Sequence, residues 1–109
     1  MPDLDMLLAA LAHPTRRSAL RLLQQHTELC LCEFMARLDV GQSTMSRHMT
    51  TLKEAGFVSD RRDAQWVRYR LNPHIDAAAE QIVRAVLMAE PADGARPEMF
   101  RDDRSAAWA

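Results

Sequence analysis

Most of what would announce an enzyme or a membrane protein is missing from these 109 residues. No apolar run approaches the roughly 20 residues that a membrane span needs. The N-terminus Met1-Pro2-Asp3-Leu4-Asp5 is acidic, where a secretory leader would be basic. There is no glycine-rich phosphate loop, no Cys-x-x-Cys and no acid–base cluster, so a reductase or other enzyme finds little support. Cysteine is nearly absent. The chain has two, Cys30 and Cys32, one residue apart. With no leader the expected compartment is the cytosol, where thiols stay reduced. A disulfide across one intervening residue is expected to be strained. The pair is therefore read as reduced thiols.

Charge of one sign is also lacking, since the formal net charge is −1. Its distribution is uneven. Between Gln42 and Arg70 stand Arg47, Lys53, Arg61, Arg62, Arg68 and Arg70 against Glu54, Asp60 and Asp63, six bases to three acids. A basic region on a near-neutral chain is the footprint expected for phosphate contact. The length suits one domain over residues 1–90, with a flexible tail over 91–109. So small a core favours dimer formation.

Leu4, Leu7, Leu8 and Leu11 form a helical stripe, and Asp3 and Asp5 suit its N-terminus. His13-Pro14 breaks that helix, His13 acting as a local cap, and Pro14 opens a second. The second buries Ala19, Leu20, Leu22 and Leu23 and leaves Arg16, Arg17 and Arg21 outside. A third helix is expected from about Leu29 to Leu38, with Thr27 able to cap it. Asp39-Val40-Gly41-Gln42 is the turn, Gly41 being free to take positive φ. A fourth helix begins at Gln42 or Ser43 and stops before Gly56.

In the fourth helix Met45, Met49 and Leu52 face inward. Gln42, Ser43, Thr44, Ser46, Arg47, His48, Thr50 and Thr51 are left outside. Short hydroxyls with Arg and His suit a DNA major groove, where Arg reads guanine edges. They equally suit a merely solvated helix. Phe57 to Arg61 and Gln65 to Leu71 read as a β-hairpin. Val67, Tyr69 and Leu71 face the core and Trp66, Arg68 and Arg70 the outside. A hairpin after a helix-turn-helix is a wing, and its basic tip Arg61-Arg62 would lie on phosphate. A last helix is expected from Pro73 to Met88. Its stripe of Ile75, Ala79, Ile82, Val83 and Val86, with Leu4, Leu7 and Leu11, is the candidate dimer surface. Packing on the monomer core is the other reading. In the tail Met99, Phe100 and Trp108 are candidate docking residues.

The expected fold is mainly α with a small β-hairpin, a winged helix-turn-helix (α-α-α-α-β-β-α) acting as a homodimer. Cys30 and Cys32 then fall at the start of the third helix, where the dipole favours thiolate. Soft thiolates select soft, thiophilic ions. Two residues apart on a helix is about 200° of rotation. Both sulfurs would reach one ion only if the first turn unwound, which would disturb the fourth helix. Flanking Leu29 and Leu31 also suit a pair of buried core cysteines.

The chain resembles the ArsR (ArsR/SmtB) family of metalloid- and metal-responsive repressors, and within it the arsenical-responsive branch. The residues that carry the likeness are Leu11 to Arg17, Glu28-Leu29-Cys30-Leu31-Cys32-Glu33-Phe34, Gln42 to Met49, Leu52 to Val58 and Trp66 to Pro73. The resemblance implies a homodimer on double-stranded operator DNA, with no membrane partner and no permanent cofactor. It implies release when trivalent arsenic or antimony binds Cys30 and Cys32. Ser43, Ser46, Arg47 and His48 then lie on the recognition helix, and Arg61, Arg62 and Arg68 on the wing. Many members add a third cysteine three residues beyond the second, and here that position is Met35. Two thiolates suit a monosubstituted arsenical, whose carbon group fills the third valence; water, a buffer thiol or His26 are alternatives. The family's zinc site on the last helix finds only His74 and Asp76. Thiol redox sensing, soft-metal sensing and a protein-binding winged helix are the competing readings.

Overall fold

A computed structural model of the chain describes residues 3–90. The expected tail, with Met99, Phe100 and Trp108, lies outside the described residues. Helix α1 is Leu4–Leu11, and Asp3 Oδ1 caps it by accepting from Met6 N at 2.8 Å. Helix α2, Pro14–Gln25, starts on a proline whose fixed φ suits the first turn. His13 Nδ1 accepts from Thr15 N at 3.2 Å, the local cap expected of it.

The next element differs from expectation. Leu29–Cys30 is a short strand, β1, and α3 runs only Leu31–Leu38. Extended backbone at Cys30 makes it the cap in place of Thr27, and its N–H donates to Glu33 Oε1 at 2.8 Å. In the turn the left-handed residue is Asp39 (φ 56°), while Gly41 sits at φ −68°. Aspartate tolerates that conformation and glycine is not needed. Helix α4 is Gln42–Glu54, burying Met45, Met49 and Leu52, and Gly56 ends it at φ 88°.

Strands β2 (Val58–Asp63) and β3 (Trp66–Leu71) form the hairpin. The sheet has three antiparallel strands in the order β1-β3-β2, not two. Cys30 pairs with Arg68, and Arg68 with Arg61, so one row crosses the sheet. Leu71, expected inside, is 38% exposed at the rim of the hairpin. Helix α5 is Ala77–Ala89 and starts later than expected. Pro73 and His74 form a turn, and Asp76 Oδ1 accepts from Ala78 N at 2.9 Å.

Phe34, Phe57, Leu7, Leu20, Met45, Met49 and Leu52 form the centre of the core. The Tyr69 ring meets Phe34 edge-on at 6.1 Å, which fastens the wing to α3. The element order and the packing are those of a winged helix-turn-helix, with α3 the support and α4 the presented helix.

Candidate thiol site and nucleic-acid interface

Cys30 is the last residue of β1 and the residue that caps α3, and it is buried at 5% exposure. Cys32 is the second residue of α3 and is exposed. Their Cα atoms are 5.4 Å apart, and the sulfurs are joined as a disulfide. The expectation of reduced thiols is therefore corrected. Nor are the two cysteines about 200° apart on one helix, because Cys30 lies outside it, at φ −83° and ψ 163°. An extended residue followed by a helical turn brings the two side chains to one side with no unwinding.

Among the described residues, no group of three or more His, Cys, Asp and Glu could hold a metal ion. Met35 is half-buried against the core. The protein donor set at this point is two sulfurs. Glu33, which bonds the Cys30 N–H, was not singled out from the sequence. Its place three residues after the capping residue is the signal that would have found it.

On α4, Gln42, Ser43, Thr44, Arg47 and Thr50 are exposed and Ser46 is half-buried. His48 does not share their face. It is half-buried, its ring 4.4 Å from that of His13 and its Nδ1 3.2 Å from Arg16 Nη1. Burial first, then His13, Arg16 and Arg47, push its pKa below the ordinary value. Arg16 also donates to Ala10 O at 2.7 Å and Ala9 O at 2.9 Å, closing the end of α1. It is a bridge and not the outward residue expected. Arg17 and Arg21 likewise turn in, onto the end of α5.

The wing turns at Ala64-Gln65, so Arg61 and Arg62 lie within β2 and are not its tip. Arg61 grips Glu28 through Nε–Oε2 at 2.9 Å and Nη2–Oε1 at 2.8 Å. That bond, before the weaker field of Arg61, Arg68 and Arg70, holds the Glu28 carboxyl below its usual range. Arg68 Nε donates to Asp63 Oδ2 at 3.0 Å, and Lys53 pairs with Asp60. The local charge excess thus rests on Arg47, Arg62 and Arg70, which have no ion pair among the described residues.

Of the candidate dimer residues, Leu7, Leu11 and Ala79 are buried inside the monomer. The stripe of α1 is divided, two leucines to the core and Leu4 (51%) and Leu8 (45%) to solvent. Ile75, Ile82, Val83 and Val86 are partly buried against the same core, and Met88 is 83% exposed. No described helix is long and apolar enough to cross a membrane.

Residues 13–60 match the family described as bacterial regulatory protein, arsR family. The arsenical resistance operon repressor of Escherichia coli (strain K12) is 43% identical over 77 residues, which cover 71% of this chain and 66% of that protein. The arsenic resistance transcriptional regulator ArsR2 of Pseudomonas putida is 39% identical over 80 residues, 73% of this chain and 70% of that one. A solved homodimeric winged helix-turn-helix DNA-binding domain from Mycobacterium bovis superposes with a TM-score of 0.65 at 24% identity, covering 78% of this chain and 75% of that one. Fold and interface define a winged helix-turn-helix of the DNA-binding class. The chain belongs to the ArsR family of bacterial regulatory proteins, whose members are transcription regulators and not enzymes.

Proposed function

We propose that this protein is a transcriptional repressor of an arsenic-resistance operon, released from double-stranded operator DNA when a trivalent arsenical or antimonial binds Cys30 and Cys32. The observation that carries the reading is the convergence of the two cysteine side chains on the first turn of α3, the support of the DNA-presenting helix. Soft sulfur donors at that place suit a thiophilic inducer. Two relatives named for arsenic resistance are 43% and 39% identical to this chain over 77 and 80 residues. The donor set of two sulfurs favours a monosubstituted trivalent arsenical, whose carbon group occupies the third valence. Inorganic arsenite or antimonite would need a thiol or water from solution.

The working unit is a homodimer. The exposed leucines of α1 and Met88 of α5 leave apolar surface for a second copy, and the Mycobacterium bovis domain is homodimeric. Gln42, Ser43, Thr44, Ser46, Arg47 and Thr50 face the groove, and Arg62 and Arg70 meet phosphate. A cytoplasmic location follows from operator binding.

The test is fluorescence anisotropy of labelled DNA from upstream of the protein's own gene. Reduced protein is titrated with arsenite and with phenylarsine oxide, beside the Cys30→Ser/Cys32→Ser variant. Release of wild type alone is the expected result, at lower concentration for the organic arsenical. DNA binding that neither compound alters would overturn the arsenical reading. The joined sulfurs favour one second reading, a thiol redox sensor. There, peroxide takes two electrons from the two thiols, giving the disulfide and water. Peroxide-driven release that a reductant reverses, without arsenical response, would select it.

A further inference from the structure

Glu28 stands between the thiol site and the wing. It lies two residues before Cys30, in the segment that leads into β1. Its carboxylate takes both forks of Arg61, a residue of β2 on the far side of the sheet. The same segment is tied to the sheet a second time, through the β1–β3 ladder, where Cys30 opposes Arg68 and Arg68 opposes Arg61. The thiol-bearing segment is therefore fastened to the wing by backbone and by side chain. Arg61 remains 56% exposed, within reach of solvent anions. A guanidinium forks a carboxylate or a phosphate with the same geometry, one at a time.

We propose that Glu28 is a positioning residue that couples the thiol site to the wing: it competes with DNA phosphate for the Arg61 guanidinium. This rests on the reading of the protein as an arsenical-released repressor. In the DNA-bound state Arg61 leaves Glu28 for phosphate. In the inducer-bound state the segment carrying Cys30 keeps Glu28 on Arg61, and one phosphate contact per protomer is lost. Linkage makes the coupling reciprocal, so weakening the Glu28 hold strengthens DNA binding and blunts the inducer. The route runs through the sheet and does not require the first turn of α3 to unwind.

The experiment measures operator affinity by anisotropy for the full chain as wild type, Glu28→Gln, Arg61→Gln and the double variant, each across a range of salt, with and without phenylarsine oxide. Glu28→Gln is expected to bind at least about five-fold tighter. With phenylarsine oxide present, its plot of log affinity against log salt should be steeper than that of wild type by about 0.9 per protomer, the mark of the one phosphate contact that wild type loses and the variant keeps. Phenylarsine oxide should then shift its affinity by a smaller factor than it shifts wild type. In the double variant all gains vanish. A purely structural role for Glu28 would move the unfolding midpoint and leave the salt slope alone. A wild-type slope in the presence of phenylarsine oxide, with a wild-type inducer response, in Glu28→Gln would overturn the proposal while leaving arsenical sensing intact. Wild type unmoved by phenylarsine oxide would overturn the sensing reading, and this coupling with it.

Discussion

His48 Nδ1 lies 3.2 Å from Arg16 Nη1, so the DNA-presenting helix is tied to the junction of α1 and α2 by a neutral imidazole. A guanidinium has only donors, so the imidazole nitrogen must be the acceptor and carries no proton. Protonation there would set two cations face to face.

Folding depresses the His48 pKa, by burial before the charges of His13, Arg16 and Arg47. The unfolded chain therefore takes up the proton first. The contribution of His48 is whole above the ordinary histidine pKa of about 6.5 and is lost as pH falls through it toward the lower folded value. Urea unfolding should show the midpoint dropping from pH about 7.5 to about 5.5, with part of the drop absent in His48→Gln. Equal pH slopes in both proteins would refute the assignment.

Arg17 clamps the far end of the fold. Its Nε and Nη2 hold the Glu90 carboxylate at 2.8 and 2.9 Å, and its Nη1 donates to Leu11 O at 2.9 Å. The Glu90 bond raises the Arg17 pKa, against a smaller opposing effect of burial. Lysine keeps the charge and loses the fork, so Arg17→Lys should cost about 1–2 kcal/mol in urea denaturation. A loss well below that would show the clamp to be slack.

Ala64 occupies the left-handed region in the wing turn, at φ 56°. A Cβ there costs about 1 kcal/mol, which glycine avoids. Ala64→Gly should raise the thermal midpoint by several degrees, on the order of 4–8 °C per kcal/mol for a domain of this size. A lower midpoint would mean that chain entropy outweighs the relief.

The two sulfurs differ in access once reduced. Cys30 is 5% exposed and Cys32 lies open on the first turn of α3. Iodoacetamide should label Cys32 at least about ten times faster, since reactivity follows exposure and thiolate character. Mass spectrometry of briefly treated, reduced protein reads the ratio, and equal labelling would contradict the burial.

The helices and the hairpin were legible because their periodicities are strong and their punctuation ordinary: Pro14 to start, Gly56 to stop, alternation through Val67 and Tyr69. Leu29-Cys30 was not legible. Two residues are too few for any period, and only pairing with Tyr69 and Arg68, some 40 positions on, makes them a strand. That single miss carried the expectation about the cysteines with it. Arg16, Arg17, Arg21 and His48 were read as outward because they are polar. The arginines' partners are carbonyls at helix ends and a residue 73 positions away, and those of His48 are Arg16, 32 positions back, and His13, which no local pattern contains. Three residues of the candidate dimer stripe, Leu7, Leu11 and Ala79, go into the monomer core for a related reason. Periodicity finds an apolar face, but which part of that face the monomer already covers depends on the angle at which α1 crosses its neighbours.

The order β1-β3-β2 leaves two open edges to the sheet. One is β1, two residues long, after which the chain turns helical at once. The other is β2, whose last four residues are Asp60, Arg61, Arg62 and Asp63. A strand from another molecule would find too little backbone on the first and a run of charged side chains along the second. Both are devices that keep sheets from growing edge to edge. The wing thus stands out from the fold and still offers no template for β-aggregation.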